Sequence, residues 1–444
     1  MVRRADEPER SRQDGVPVSG HARGMTDTPE PPRFTGWAER PARGAGTDRP
    51  GSPRRRRWRR WRRGHWVAFG TAGALLAGAG GLGWALYAEL NGNIRIDSAI
   101  ERELRKWESE RPPGGPPNAE NLLLIGSDSR QGGNRRYGSA AGRRADTTML
   151  LHLAADRQSA TAVSIPRDLM VRVPQCERSD GQQTEPQTAQ FNWSFAFGGA
   201  ACSIRTVEQM TAVRVDHYLL IDFVGFTKMV DAVDGVEVCL PRAVRDDAAR
   251  LRLPAGRQTL NGEDALAYVR AREGLGDGSD TQRMERQQRF LGALVKKVQS
   301  NGVLLNPARL YPVLEAATSS LTTDPGLASL RGLYELVRST RRIPTDRVQF
   351  LTVPRREYRY DPNRDELVQP DADRLFGQLR KDLPVTVEPG RDAGEEPSRG
   401  GSGSAGEVSR GTPEDTSPPS PSASPSASSG PTFPGTTAEH GICE

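Results

Sequence analysis

The stretch "NLLLIGSDSR", residues 121–130, is a short unbroken apolar run that stops at glycine and passes straight into polar and charged residues. A strand with one wet face alternates apolar and polar side chains, whereas a continuous apolar run needs cover on both faces. The run therefore predicts a central strand between two helical layers. Its carboxyl end, "SDSR", is where ligands bind in open α/β sheets. Working outward, "TTMLLHL" (147–153) and "ATAVSIP" (160–166) predict two more strands, with "AADRQS" as the turn between them. "SIRTVEQMTAV" (203–213) reads as a helix, "DHYLLID" (216–222) as a strand, "FVGFTKMVDAV" (223–233) as a helix and "GVEVCLP" (235–241) as a strand. Asn261 and Asp264 mark a helix start for "GEDALAYVRAR", and a long helix is expected over Thr281–Gln299. Helices interspersed among strands predict a three-layer α/β/α domain.

The rest of the chain does not extend this core. Hydrophobic residues are 35% of the 444, with 34 Pro and 47 Gly, so part of the chain is expected never to pack. The expected organisation is a basic, disordered tail over 1–65, a membrane helix over 66–88 and a stalk over 89–117. A folded domain over 118–383 and a disordered Pro/Ser/Gly tail over 384–444 complete it. Residues 1–65 hold 17 Arg against 8 Asp and Glu, and the whole chain is only +6, so the remainder is about −3. The basic character thus belongs to the tail, and the folded part is not a nucleic-acid-binding surface on charge grounds. From Trp66 to Ala88 there are 23 uncharged residues, enough to cross a bilayer, immediately after the arginine-rich run 54–63. The positive-inside rule places that run in the cytoplasm and everything after about residue 90 outside the plasma membrane. In an oxidising exterior Cys176 and Cys202 are expected to pair across the polar loop between them. Five scattered histidines and no CxxC spacing argue against zinc.

Chemistry-bearing residues recur at the strand boundaries. Asp128 follows the first strand, Arg144 and Asp146 precede the second, and Arg167 with Asp168 follows the third; His and Lys are absent from all of these boundaries. Aspartates beside arginines suit a hard divalent cation bridged to phosphate oxygens, since Mg²⁺ takes oxygen ligands and Arg grips phosphate in a planar fork. A second group of arginines lies in "LAYVRAREGLGDGSDTQRMERQQRF" (266–290). Arg270 and Arg272 diverge by about 200° on an unbroken helix and converge only if it ends there. Arg283, Arg286 and Gln287 share one face near the start of the next helix, whose N-terminus favours anions. Only five of 62 basic residues are Lys, so a solvated arginine face is the competing explanation for that second group. Taken together the boundaries predict an extracytoplasmic, Mg²⁺-assisted phosphate or pyrophosphate site.

These residues resemble the LytR–CpsA–Psr (LCP) family of cell-wall ligases. The likeness runs in order through "NLLLIGSDSR", "RRADTTMLLHL", "VSIPRDLMV", "FNWSFAFGGA", "DHYLLIDFVGFTKMVDAVDGVEVCLP", "LPAGRQTLNGEDALAYVRAR" and "RMERQQRFLGALVKKV". The arginine bias and "FGGAACSIRTVEQM" give it an actinobacterial look. The resemblance implies a phosphotransferase that moves a glycopolymer, such as a teichoic acid, from a polyprenyl-pyrophosphate carrier to the 6-hydroxyl of N-acetylmuramic acid in peptidoglycan. A phosphodiester would form and polyprenyl phosphate would leave. It also implies Mg²⁺ (or Mn²⁺) on Asp128 and Asp146, with Arg144, Arg167, Arg270, Arg272, Arg283 and Gln287 around the pyrophosphate. An apolar tunnel for the prenyl chain is implied too, with "FVGFTKMV" and "FLGALVKKV" as candidate linings. Two further readings are a hydrolase acting on the same lipid pyrophosphate and a non-catalytic membrane-bound regulator. The basic tail shows no helix-turn-helix pattern to support the second. Asp277 and Asp280, in the loop between the arginine clusters, have no assigned role.

Overall fold

The computed structural model describes residues 54–128, 145–271, 279–299, 307–389 and 431–439. The chain divides into two units, Met1–Ala72 and Gly73–Glu444, and among the described residues every strand lies in the second. Helix α1 (Arg54–Asn93) carries a 26-residue stretch, Ala68–Asn93, that is long and apolar enough to cross a membrane. The stretch overlaps the expected 66–88 and continues to the end of the helix, where Leu90 is buried. Strand β1 (Arg95–Ile96) and helix α2 (Ser98–Lys106) follow at once. Asp97 caps α2 by accepting from the Ala99 amide at 2.9 Å. Ile100 and Leu104 on its inner face are buried in the main core. The region expected as a stalk is therefore packed domain, because α2 is amphipathic and buries its apolar side.

The chain next lays down β2 (Glu120–Ser127), β3 (Ala145–Leu153) and β4 (Ala160–Ile165) as an antiparallel meander. A hairpin of β5 (Met170–Val173) and β6 (Gln187–Gln190) leads into α3 (Phe191–Thr211). Strand β7 (His217–Asp222), α4 (Phe223–Ala232), β8 (Val236–Leu240), β9 (Val244–Asp246), β10 (Leu251–Leu253) and β11 (Gly256–Leu260) follow, with β8 paired to β11. Then come α5 (Gly262–Arg270), α6 (Asp280–Gln299), α7 (Pro307–Ser320), β12 (Leu321–Thr323), α8 (Leu330–Thr340) and β13 (Val348–Thr352). A second hairpin, β14 (Arg355–Tyr358) and β15 (Asp361–Leu367), precedes α9 (Asp371–Arg380), β16 (Thr386–Pro389) and β17 (Thr432–Thr437).

The central sheet is mixed, in the order β1-β12-β7-β2-β3-β4-β13-β17-β16. Strand β2 shows why its continuous apolar run was informative. Leu123 and Ile125 enter the core built with α2, α3 and α9, while Leu122 and Leu124 enter the core on the opposite face with α6 and α8. Leu122 and Leu123 are both completely buried, as a strand covered on two sides requires. A third cluster joins α4, α5 and α6 to the β8–β11 hairpin through Val230, Ala265, Phe290, Val236 and Leu260.

Cys176 and Cys202 form a disulfide with Cα atoms 5.6 Å apart. A Cβ on Gly198 would lie 2.9 Å from the Cβ of each, so the bridge needs glycine there, and α3 kinks at Gly198–Gly199 to pass it. Cys239 is disulfide-bonded too, whereas Cys443 lies outside the described residues.

The expectation for 384–444 is corrected at both ends. Residues 386–389 form the edge strand β16, and 432–437 form β17, which sits between β13 and β16 inside the sheet. Phe433 and Ala438 bury themselves on opposite faces of it. Composition hid this strand, because Pro434 lacks the ladder N–H and reads as a strand breaker.

Candidate functional site

A cavity of about 400 Å³ lies between the central sheet and α4, α5 and α6. Its polar residues come from one end of the central strands and from the facing ends of α5 and α6. Asp128 directly follows β2, Asp146 opens β3, which runs antiparallel, and Arg167 follows β4. Arg270 is the last residue of α5, and Arg283 and Gln287 occupy the first turns of α6. Asp222, the cap of α4, completes the set by accepting from the Gly225 amide at 2.7 Å. Apart from Thr147, the remaining lining is apolar, with Leu124, Met149 and Ile221 from the strands, Phe223 and Phe226 from α4, Leu266 and Val269 from α5, and Phe290 and Leu291 from α6. One cavity thus combines a cationic and acidic edge with an aromatic, aliphatic interior.

The cationic groups are held in place. Arg167 Nε lies 3.1 Å from Asp168 and 3.5 Å from Asp280, and its Nη1 lies 4.0 Å from Asp146. Arg283, 6% exposed, pairs with Asp280 at 2.5 Å, one helical turn away on α6. Asp280 therefore bridges two arginines, and its Oδ2 is buried with no hydrogen-bond partner. The sequence left Asp280 without a role, although an acid at a helix start three residues before an arginine was a readable signal. Arg270 places its guanidinium 4.4 Å over the Phe223 ring. Its helix ends there, since Ala271 has non-helical dihedrals, the break that convergence of Arg270 with Arg272 required. Gln287 lines the cavity and donates to the Val269 carbonyl at 3.1 Å, so it also ties α6 to α5.

Not every arginine of this stretch belongs to the site. Arg286 is buried and donates to the Ala271 carbonyl, joining α6 to the end of α5, and Arg289 is exposed. Arg144, Arg272 and Asp277 lie outside the described residues.

The β14–β15 hairpin braces the edge from behind, which no local pattern in the sequence indicated. The Asp365 amide donates to the Asp168 carbonyl at 3.2 Å, and Arg364 lies 3.7 Å from the Asp168 carboxylate. Arg355 reaches both Asp365 and the Thr281 hydroxyl beside Asp280. Burial pushes the Asp365 carboxyl above its ordinary range; Arg355 opposes this and the charges of Asp280 and Asp168 add to it.

Among the described residues no cluster of three His, Cys, Asp or Glu side chains is arranged to hold a metal. Asp128 and Asp146 do line the same cavity, and Mg²⁺ commonly takes one or two protein carboxylates while phosphate oxygens and water fill its other positions. This all-oxygen pair, with the orphaned oxygen of Asp280 at the same edge, fits such an ion in the presence of a phosphate ligand.

The sequence profile of the LytR_cpsA_psr family matches residues 93–381. The chain is 35% identical over 268 residues to the cell wall biosynthesis protein LcpA of Corynebacterium glutamicum, covering 53% of this chain and 50% of that protein. It therefore spans about half the length of that curated relative. It is 27% identical over 287 residues to the polyisoprenyl-teichoic acid–peptidoglycan teichoic acid transferase TagT of Bacillus subtilis, covering 62% of this chain and 82% of that one. The crystal structure of protein gbs0355 from Streptococcus agalactiae has a similar fold, with a TM-score of 0.50 at 20% identity over 60% of this chain and 88% of that one.

Proposed function

The chain belongs to the LytR_cpsA_psr family, and from that premise we propose that it is a phosphotransferase joining a polyprenyl-pyrophosphate-linked glycopolymer to peptidoglycan. The observation that carries the reading is the composite cavity, in which Arg167, Arg270, Arg283 and Gln287 share one enclosure with Phe223, Phe226 and Phe290. A lipid pyrophosphate has the same two halves, an anionic head and an isoprenoid chain. The expectation that α4 and α6 contribute a prenyl lining narrows to Phe223, Phe226, Phe290 and Leu291, which line the cavity, whereas Val230 and Ala293 do not.

In this reading Arg167, Arg270 and Arg283 bind the pyrophosphate oxygens and hold the head at the sheet edge. Arg144 and Arg272 join them by the family motif. The acceptor's sugar hydroxyl oxygen attacks the phosphorus that bears the glycan. The bond from that phosphorus to the bridging oxygen breaks, and polyprenyl phosphate leaves with the electron pair. The hydroxyl proton passes to a carboxylate, Asp128 or Asp146. A Mg²⁺ held by the same two residues would neutralise charge on the pyrophosphate. Phosphoryl transfer depends on positioning and charge neutralisation more than on covalent catalysis, which these residue types supply. By the positive-inside rule the arginine-rich run 54–63 supports a cytoplasmic N-terminus, which would leave the cavity outside the plasma membrane on the side of the proposed acceptor.

The test uses the full chain in detergent with a lipid-pyrophosphate-linked sugar and uncrosslinked peptidoglycan, in Mg²⁺ or in EDTA. Mass spectrometry is expected to find a phosphodiester-linked conjugate in Mg²⁺ alone, lost in Arg167→Ala and in Asp146→Ala. Free glycan without conjugate, in the presence of a competent acceptor, would make the chain a hydrolase instead.

A further inference from the structure

The exit of α1 into the domain carries an inference about how the domain meets the bilayer. Trp84 and Tyr87 are 73% and 42% exposed, with ring centroids 6.2 Å apart, near the C-terminal end of the apolar stretch. Such aromatics settle at the level of lipid headgroups. Immediately afterwards the chain is captured: Leu90 is buried, Asn91 Oδ1 accepts from the Leu330 amide at 3.1 Å, and Ile94 packs against the core cluster that contains Leu333. The first residue of α8 is thus fastened four residues beyond Tyr87, about 6 Å along a helix.

Helix α8 is sharply two-sided. Leu333 and Leu336 face the core, whereas Arg331, Tyr334, Arg338 and Arg341 recur at helical spacing on the opposite side and are exposed, with Val337 beside them. Over residues 330–342 there are four arginines and one acid, Glu335, which pairs with Arg331 at 2.8 Å. Tyr334 is 58% and Val337 39% exposed, so the stripe pairs cations with an aromatic and an aliphatic side chain. This is the composition of a helix lying in a membrane interface, and basic residues at that depth attract anionic headgroups.

We propose that α8 lies on the bilayer surface at the C-terminal end of α1, with Arg338, Arg341 and Arg342 on anionic lipid phosphates and Tyr334 and Val337 in the headgroup layer. The proposal rests on the reading of α1 as a membrane anchor. Contact at two places would hold the domain at a set height and tilt over its lipid-borne substrate, rather than leaving it to swing on one helix.

The experiment uses the full chain carrying Tyr334→Cys, labelled with a thiol-reactive fluorophore; the described cysteines are all in disulfides, so they do not compete. The protein is reconstituted in vesicles of phosphatidylcholine with phosphatidylglycerol and a headgroup spin-labelled lipid as quencher. The expected result is strong quenching that falls in phosphatidylcholine alone and in the Arg338→Glu, Arg341→Glu, Arg342→Glu variant. Absence of quenching in vesicles that still carry the protein on flotation in high salt would overturn the proposal. Quenching indifferent to both lipid charge and charge reversal would overturn it as well. Failure of the chain to float with the vesicles would instead overturn the membrane-anchor reading itself.

Discussion

Arg167 contacts three carboxylates, of Asp146, Asp168 and Asp280, from a single guanidinium. A lysine ammonium is a point charge on a flexible stem and does not reproduce that planar, multi-donor grip. Arg167→Lys is therefore expected to fold normally yet lose on the order of 10²-fold in transfer rate, the usual cost of removing one positioned donor from a charge-stabilising site. Parallel thermal denaturation and turnover measurements check this, and near-normal turnover would contradict the clamp. Arg270 stands over the Phe223 ring, so Phe223→Leu keeps an apolar lining but removes the ring face. Loss of about 0.5–2 kcal/mol of cation–π attraction should free Arg270 and raise the donor KM several-fold. At this scale the sequence singled out Asp128, Asp146, Arg167, Arg270, Arg283 and Gln287 from strand ends and helix termini, and all six line one cavity. Helical spacing did not separate Arg283, which lines the cavity, from Arg286, which props a backbone carbonyl, although the family resemblance named only Arg283. The two are one turn apart on α6, and only the position of α5 decides which of them meets the cavity.

Among the elements, α5 shows a start that was legible and a constraint that was not. Asn261 caps it by accepting from the Asp264 amide at 2.9 Å, as the sequence indicated. Gly262, by contrast, is pressed against the Thr227 carbonyl of α4, and its amide donates to Asp231 at 2.7 Å. Gly262→Ala must push α5 away from α4 and is expected to cost about 1–3 kcal/mol, read as a lower urea midpoint. Strands β7 and β12 are linked by His217 and Asp324, 3.0 Å apart. Burial pulls the His217 pKa down, but the hydrogen bond and charge of Asp324 outweigh it, and the net shift is upward. Burial likewise pushes the Asp324 carboxyl up, and its contacts with His217 and the Gly326 and Tyr218 amides bring it below its ordinary value. The raised histidine contributes stability that is complete below about pH 6.5 and is lost as pH rises through its folded value. The depressed aspartate contributes stability that is present above about pH 4 and is lost as pH falls through its folded value. Stability from this pair should therefore be greatest between roughly pH 4 and 6.5, and His217→Ala should abolish the decline on the alkaline side of that window. Urea midpoints across pH for both proteins would show whether it does.

Across the whole molecule, the chain closes its own sheet with its C-terminal end. Phe433 is 4% exposed, and Gly292 of α6 is packed so closely on Ala438 that an added Cβ would lie 3.1 Å from its Cα. Phe433→Ala is expected to cost about 3–5 kcal/mol, and a chain ending at 389 should be destabilised as well, leaving one side of β13 without its partner. A truncated chain as stable as the full one, by thermal denaturation, would show β17 to be dispensable. The apolar run 121–126, the alternation of strands with helices and the strand-end aspartates and arginines were local patterns; the first two determined the α/β/α class and the sheet's central strands, and the third pointed to the strand ends that line the cavity. Local pattern suffices there because burial on two faces, helical periodicity and strand ends each leave a signature within a few residues. Tertiary structure alone decided that the expected stalk is part of the core, that β17 enters the sheet despite Pro434, and that Asp280 meets Arg167. Each of these depends on partners far away in the chain, whose packing energy overrides the propensity of the segment itself.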